Sequence, residues 1–588
     1  MKRILSLILS LVMLMSLSAF ADAQYADGTY EGAGAGLMGP IKVSVTVSNG
    51  KIADVTVLDH SETPGLSDPA VEAIPAAIID AQSFHVDAIT GATYTSDGIM
   101  KAVQNALEGD EETAEIPFEQ ADMIVIGAGM AGMTAAVRAA ELGLNVILFE
   151  QTGSVGGSAM VAGGTLLGNN TRMQKEAGIE DSPELAFADF VRLGGAGTFN
   201  EEIAREFTYI SGASVDWLDD MGCDFGDRVP YPGVYQPLNV DRNYSGKGGA
   251  SAFIKTLNEE LEEYLGKNAY LALNSKVTNL LTDDEGIVVG ASVMMADGTQ
   301  TDFYAAATAI CTGGYGGSEE LLMKYNFDNI LTTSPSFVTG DGYVWLDDLG
   351  AAFTNMDFCT AYAGGIRMSD SFFEMGRFNV TNGALWIDVN GHRMADETGA
   401  DSKVKSDSWS EAEQNIVYTV FSPEMLIADA NVFTAGSSGR EPAEFDAFSE
   451  MLIEKGHAFK ADSVEELAQK AGLPVDAFVD TITTYNDGAA SGKDAFGRTK
   501  QLVAMENGPF YAVETIPYVM ITSGGPMMTK DCEVVRTDGT VIQGVYIAGE
   551  IVGMANVGGL NSIGGMGHGN CLAWGKQIAE VVHQKLAE

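Results

Sequence analysis

Ala121-Asp-Met-Ile-Val-Ile-Gly-Ala-Gly-Met-Ala-Gly-Met-Thr-Ala-Ala-Val-Arg-Ala-Ala-Glu-Leu-Gly-Leu-Asn-Val-Ile-Leu-Phe-Glu150 is the stretch that decides the fold. Met123–Ile126 is an apolar run with no polar break, as expected for a strand buried on both faces of a parallel sheet. Gly127, Gly129 and Gly132 follow in the G-x-G-x-x-G spacing. The first permits a tight turn, the second lets backbone approach a pyrophosphate, and the third lets the helix pack close to the strand. Unpaired N–H groups at the helix start, with the helix dipole behind them, attract the phosphates. Glu150 closes the second strand 18 residues after Gly132, where an acid can hold a ribose hydroxyl. Strand, glycine turn, helix, strand and acid in that order predict a dinucleotide site. They do not separate FAD from NAD.

Bulk properties narrow the class. A chain of 588 residues should hold two or three domains. Its 33 basic and 81 acidic residues, net −48, argue against nucleic acid and anionic lipid surfaces as partners. Met1–Ala23 reads as a targeting segment: Lys2 and Arg3, an apolar Ile4–Leu17, then Ala19-Phe-Ala21 or Ala21-Asp-Ala23 as a cleavage site. The expected location is therefore the periplasm or extracytoplasmic surface of a bacterium, with no stable membrane span after signal removal. The five cysteines (Cys223, Cys311, Cys359, Cys532, Cys571) stand singly, with no C-x-x-C pair, zinc spacing or haem site. No metal is expected, and redox function must come from bound organic cofactors.

Residues 24–108 form a separate small module. Ile41–Val47 alternates as a half-buried strand, Ser48-Asn-Gly-Lys51 is a hairpin turn, and Ile52–Leu58 returns. Ala70–Asp80 and Gly98–Leu107 have helical spacing. Between them, Asp87-Ala-Ile-Thr-Gly-Ala-Thr93 is a loop feeding a helix N-terminus. With the Gly-Thr-Tyr-Glu-Gly opening at 28–32 and His60-Ser-Glu-Thr63, this module resembles the FMN-binding domain of exported flavoproteins and sodium-pumping or Rnf-type electron-transfer subunits. The resemblance implies FMN joined covalently through its phosphate to Thr93 by a flavin transferase, with Asp87 and Gly91 in the motif. An acidic linker, 109–120, follows.

Past Glu150, Gly156-Gly-Ser-Ala-Met-Val-Ala-Gly-Gly164 suits close approach to a flat cofactor. Val229–Gly249, rich in Gly, Pro and Tyr, reads as a surface loop. Near the C-terminus Asp538-Gly-Thr-Val-Ile-Gln-Gly-Val-Tyr-Ile-Ala-Gly-Glu550 is a turn, a strand and an acid, followed by the glycine-rich Gly558–Gly569. Cofactor elements at both ends of the fold favour extended FAD.

Together, GAGMAG, GGSAMVAGG, AICTGGYGG, TGDG, IDVNGHRMADE, GGPMM and DGTVIQGVYIAGE resemble the soluble fumarate reductase and urocanate reductase branch of the FAD-dependent succinate dehydrogenase family. This implies a Rossmann-like α/β FAD-binding domain (121–355 and 520–588) with an inserted α+β capping domain (356–519), preceded by the α+β FMN-binding domain. Non-covalent FAD would be held by Gly127, Gly129, Gly132, Glu150, Gly157, Ser158, Gly164, Gly313, Glu550, Ser562 and Ile563. The implied chemistry is reduction of a C=C bond beside an electron-withdrawing group, with electrons passing from a membrane-associated donor through FMN to FAD.

The family's carboxylate clamp is changed. Its proton-donating Arg, four residues after Glu397, is Asp401 here; its late His position carries Met520 or Ile521; its C-terminal Arg is Ser562; and its early His is Tyr362, as urocanate reductases have. A buried dicarboxylate without cationic partners is heavily penalised, so an enoate or enone smaller in charge than fumarate is expected. Tyr362, Arg393, Lys403, Arg377 and His568 are the candidates for donor or clamp. Two alternatives stand beside the reductase. A ketosteroid-type FAD dehydrogenase is disfavoured because Gly558–Gly569 contains no Tyr. A flavin electron-transfer protein without catalysis is motivated by Asp401, Ile521 and Ser562.

Overall fold

The computed structural model describes residues 25–36, 40–60, 62, 67–89, 92–108, 116–118, 120–232, 238–296, 298–325, 327, 331–359, 361–367, 373–374, 384–398, 404, 407–409, 412–413, 416–423, 425, 445–561 and 563–588. The N-terminal module is a three-stranded antiparallel sheet, Gly28–Ala35, Pro40–Ser48 and Lys51–Asp59, in sequence order. Asn49 and Gly50 both take positive φ, 53° and 70°, the backbone of a type I′ hairpin turn. Ile41, Val43, Val45 and Val47 alternate inward, and the first three pack with Ile74, Ile78, Ile99 and Val103 of the helices Asp68–Ala81 and Thr93–Glu108. The second helix starts at Thr93, five residues before the expected Gly98. The loop carrying Asp87 thus feeds directly into a helix N-terminus, where backbone N–H groups favour a phosphate.

The dinucleotide unit builds an eight-stranded sheet. Glu533–Val535, Val541–Ile547, Gln300–Ile310, Ala121–Ile126, Val146–Phe149 and Ala269–Ala272 run side by side, and Lys276–Thr282 and Val288–Met294 extend it through Gln300–Ile310. The central pairings are parallel, with Thr308 opposite both Ile124 and Val545. Ile124, Val125, Ile147 and Leu148 are fully buried, which is why these strands read as unbroken apolar runs. The helices Met130–Glu141 and Met566–Ala587 pack on one another, so the early and late ends of the unit meet. Among the described residues no helix is long and apolar enough to cross a membrane.

The inserted region has its own sheet, organised around the long strand Phe510–Val519. That strand pairs antiparallel with Ala361–Arg367, Val417–Phe421 and Ala458–Ala461, and parallel with Leu331–Thr332. Its separate core centres on Trp386, Trp409, Val420, Phe421 and Phe478. A short pairing of Phe353–Thr354 with Gly525–Pro526 ties the chain together where it enters and leaves this region.

One expectation is corrected here. Val229–Gly249 is not a simple surface loop: Asn243–Ser245 is a strand, and Arg242, Asn243 and Tyr244 are buried. Arg242 donates through Nε to Asp181 and through Nη1 to Asp189, both fully buried. Gly, Pro and Tyr content signals a turn, but composition does not reveal that an arginine has two distant carboxylates waiting for it.

Candidate flavin-binding site

The first turn is shaped by steric necessity. Gly127 ends the strand Ala121–Ile126 with φ 96°, and a Cβ there would sit 2.6 Å from the Cys311 carbonyl oxygen. A Cβ on Gly132 would lie 1.8 Å from the Gly127 oxygen, so that helix can approach the strand only as glycine. Gly129 differs: nothing lies within 4 Å of its hypothetical Cβ. The sequence motif therefore holds two packing glycines and one that faces open space. Gly129 is the N-cap of Met130–Glu141 and supplies no side-chain cap, leaving the first-turn N–H groups for an anion.

Two carboxylates approach the same cleft. Glu150 accepts from Ala128 N (2.8 Å) on one oxygen and from Thr152 N and Oγ1 (both 2.8 Å) on the other. Glu550 accepts from Thr522 N (2.8 Å) and Oγ1 (3.0 Å) through Oε1. Burial pushes both carboxyls above their ordinary range, and the N–H and hydroxyl donors counter only part of it. The donors fix the carboxylates without supplying a positive charge.

The cleft contains about 1260 Å³ of atom-free space, its open mouth included. Gly127, Gly129, Glu150, Gly157, Ser158, Gly313, Glu550 and His568 all line it. Residues that sequence reasoning placed from opposite ends of the chain thus share one wall. His568 stands on the first turn of Met566–Ala587 with Nδ1 2.8 Å from the Thr165 carbonyl, so Nδ1–H donates and Nε2 is left as an acceptor. Burial pushes its pKa down, partly offset by that carbonyl.

Sequence reasoning missed Asn570. It is 1% exposed, lines the cleft, and neither side-chain amide atom has a partner in the protein. A buried amide in that state marks a place for a ligand or water. Its one sequence signal was a polar side chain two residues beyond His568. Together, the open space at Gly129, the N-terminal N–H groups, the two carboxylates for hydroxyls and the unpartnered Asn570 amide fit FAD.

Other candidates fall elsewhere. Gly132 and Gly164 serve packing rather than lining; a Cβ on Gly164 would be 2.3 Å from the Gly249 backbone. Ile563 is buried with its side chain at Gly558 and is not among the residues that line the cleft. Arg393 is likewise moved. Its Nε and Nη2 donate to Glu397 at 2.8 and 2.7 Å, its Nη1 donates to Asp494, and its guanidinium lies over the rings of Tyr485 and Phe496. With those carboxylates fully buried, Arg393 belongs to the capping region's framework. Tyr362 lies in the strand Ala361–Arg367 opposite Tyr518, and Thr93 starts its helix; both side chains lie outside the described residues. Asp87 is exposed, whereas Gly91, Arg377, Asp401, Lys403 and Ser562 lie outside the described residues. Ile521 lines the cleft as an apolar wall.

Comparison with known proteins agrees with this geometry. Residues 122–567 match the family model for the FAD binding domain, and residues 36–108 match that for the FMN-binding domain. The chain therefore belongs to the FAD binding domain family, as an FAD-dependent oxidoreductase with an FMN-binding domain ahead of it. It is similar to the NADH:acrylate oxidoreductase of Vibrio harveyi, 28% identical over 92% of this chain, and spans 60% of that protein's length. The urocanate reductase of Eggerthella lenta is 28% identical over 91% of this chain and 88% of its own. Among solved structures, the open conformation of a flavocytochrome c3 fumarate reductase superposes with a TM-score of 0.64 at 26% identity, covering 80% of this chain and 79% of the other.

Proposed function

We propose that this protein is an exported reductase of an activated C=C bond, acting on an α,β-unsaturated substrate of the urocanate or enoate type, or an enone. The carrying observation is the cleft: one wall assembled from Gly127, Gly129, Glu150 and Glu550 in an FAD-domain fold whose relatives are named for acrylate, urocanate and fumarate. When bound, FAD would supply hydride transfer to carbon, and covalent FMN on Thr93 would relay electrons to it from a membrane-associated donor. The first turn of Met130–Glu141 would hold the pyrophosphate, and Glu150 and Glu550 would accept from FAD hydroxyls. Tyr362, on the cap's sheet, would donate to the substrate's electron-withdrawing group.

The apolar Ile521 on the cleft wall, one of the two residues (with Met520) where the family resemblance expects a carboxylate-binding His, supports a substrate with less charge than fumarate. A second carboxylate there would be desolvated without a partner. The test is anaerobic oxidation of reduced viologen by fumarate, urocanate, cinnamates, itaconate and enones. Turnover should appear with a mono-acid or neutral acceptor and be weakest with fumarate; no turnover with any acceptor overturns the reading. Tyr362→Phe should lower turnover with both flavins retained. Flavin fluorescence that survives denaturing electrophoresis, after maturation in a host with a flavin transferase, checks the covalent bond at Thr93.

A further inference from the structure

We propose that His568 is the proton-accepting group coupled to FAD reduction, taking up one proton as the flavin receives its electron pair. This rests on FAD occupying the cleft, and on no assumption about the unsaturated substrate. The geometry carries it. The imidazole lines the cleft that Gly129, Ser158 and Glu550 also line, and the Nδ1–Thr165 bond at 2.8 Å fixes the ring. Phe253 covers it edge-on, with ring centroids 6.0 Å apart. The remaining Nε2 lone pair is the atom that can take a proton.

The balance is simple. Two electrons and one proton convert oxidised flavin to its reduced anion, leaving one added negative charge in the cleft. An opposite charge within about 4–6 Å favours the cationic form of an imidazole. Nε2 binds a proton from solvent, nothing is oxidised at the histidine, and the net uptake becomes two protons per electron pair. Before reduction the imidazole is neutral, because burial holds its pKa below the ordinary 6.5 and the Thr165 carbonyl offsets only part of that. The charged groups lining the cleft are Glu150, Glu550, Lys276 and Asp341, with the thiols Cys311 and Cys571. None of them enters the causes of the His568 shift. Thr165 and Phe253, the groups packed directly on the ring, carry no charge. The Met566–Ala587 helix start adds a positive dipole end that disfavours protonation until the flavin is reduced.

The test reduces the holoenzyme photochemically at pH 7 in weak buffer and counts protons taken up per electron pair, comparing wild type with His568→Gln and His568→Asn. FMN contributes equally to all three and cancels in the difference. The expected result is one fewer proton per FAD in the variants, with a pH dependence of the FAD midpoint about half as steep. Equal proton counts in FAD-replete wild type and variants overturn the proposal. Loss of FAD from both variants also overturns it, making His568 a holding contact instead. Because no unsaturated acceptor is present, a failure here is distinguishable from a failure of the substrate reading.

Discussion

Buried carboxylates are used in two opposite ways in this molecule. In the FAD cleft, Glu150 and Glu550 are held by backbone N–H groups and threonine hydroxyls. In the capping region, Glu397 and Asp494 are held by guanidinium groups: Arg393 bridges both, and Arg498 donates to Glu397 at 3.0 Å. Neutral donors orient a carboxylate but leave its charge for a ligand's hydroxyl. Cationic donors complete the charge and leave nothing for a ligand. A buried acid with a buried arginine beside it is framework, and a buried acid on N–H groups at a cleft is a site.

The sharpest way to break this comparison is to remove Glu397. Its loss leaves Arg393 with Asp494 as its one carboxylate partner, leaves Arg498 with backbone carbonyls in place of a carboxylate, and takes the acceptor from Trp386 N, which donates to it at 3.1 Å. Removing one partner of a buried pair costs about 3–5 kcal/mol, so Glu397→Ala should lower the cap's stability by that amount in chemical denaturation, with FAD still bound below the transition. A variant that unfolds like wild type but loses turnover would return Arg393 to the substrate site.

A smaller effect separates the two kinds of glycine. Gly132→Ala forces a methyl group to 1.8 Å from the Gly127 oxygen, and overpacking of that kind costs about 1–3 kcal/mol with or without FAD. Gly129→Ala meets no protein atom within 4 Å. It should leave the FAD-free chain within about 0.5 kcal/mol of wild type while weakening FAD by at least about tenfold, or 1.4 kcal/mol. Calorimetry on FAD-stripped protein and flavin titration check the pair. If both glycines behave alike, the open space at Gly129 is not where the cofactor sits.

This contrast also shows what was legible in the chain. Gly127, Gly129, Glu150 and Glu550 were readable because period and spacing encode a local β-α-β unit, and local geometry is short-range. The roles of Gly129 and Gly132 were legible with them, one for the pyrophosphate and one for packing; the crowding of Gly127 was not, since the Cys311 carbonyl that meets it comes from far along the chain. Arg393 was misread for the same reason. Its partner Glu397 is four residues away, but Asp494 arrives 101 residues later, and only the fold brings them together. Asn570 carried no motif; its meaning lies in having no partner once buried.

The smallest effect is a sign reversal with pH. Burial raises the Glu150 and Glu550 carboxyls above the ordinary 4.5 in the FAD-free chain. A group raised on folding contributes stability below its unfolded pKa, and that contribution is lost as pH rises through the folded value. Burial also pushes Asp494 up, but its bonds to Arg393 and to the Arg498 and Phe496 backbone overcome this and hold it below the ordinary 3.8. Asp494 therefore contributes above pH 3.8 and loses its contribution as pH falls through the folded value. Glu550→Gln, which keeps an oxygen acceptor for Thr522, should raise the melting temperature of FAD-free protein at neutral pH by on the order of 2 °C, the scale of under about 1 kcal/mol in a domain of this size. That gain should shrink to nothing toward pH 4.5. Asp494→Asn should instead lower it at neutral pH, with the loss shrinking only below pH 3.8. Melting curves across pH 3 to 8 that shift in the same direction for both variants would mean the N–H-held acids are as fully compensated as the arginine-held ones, and the distinction between site and framework would fail.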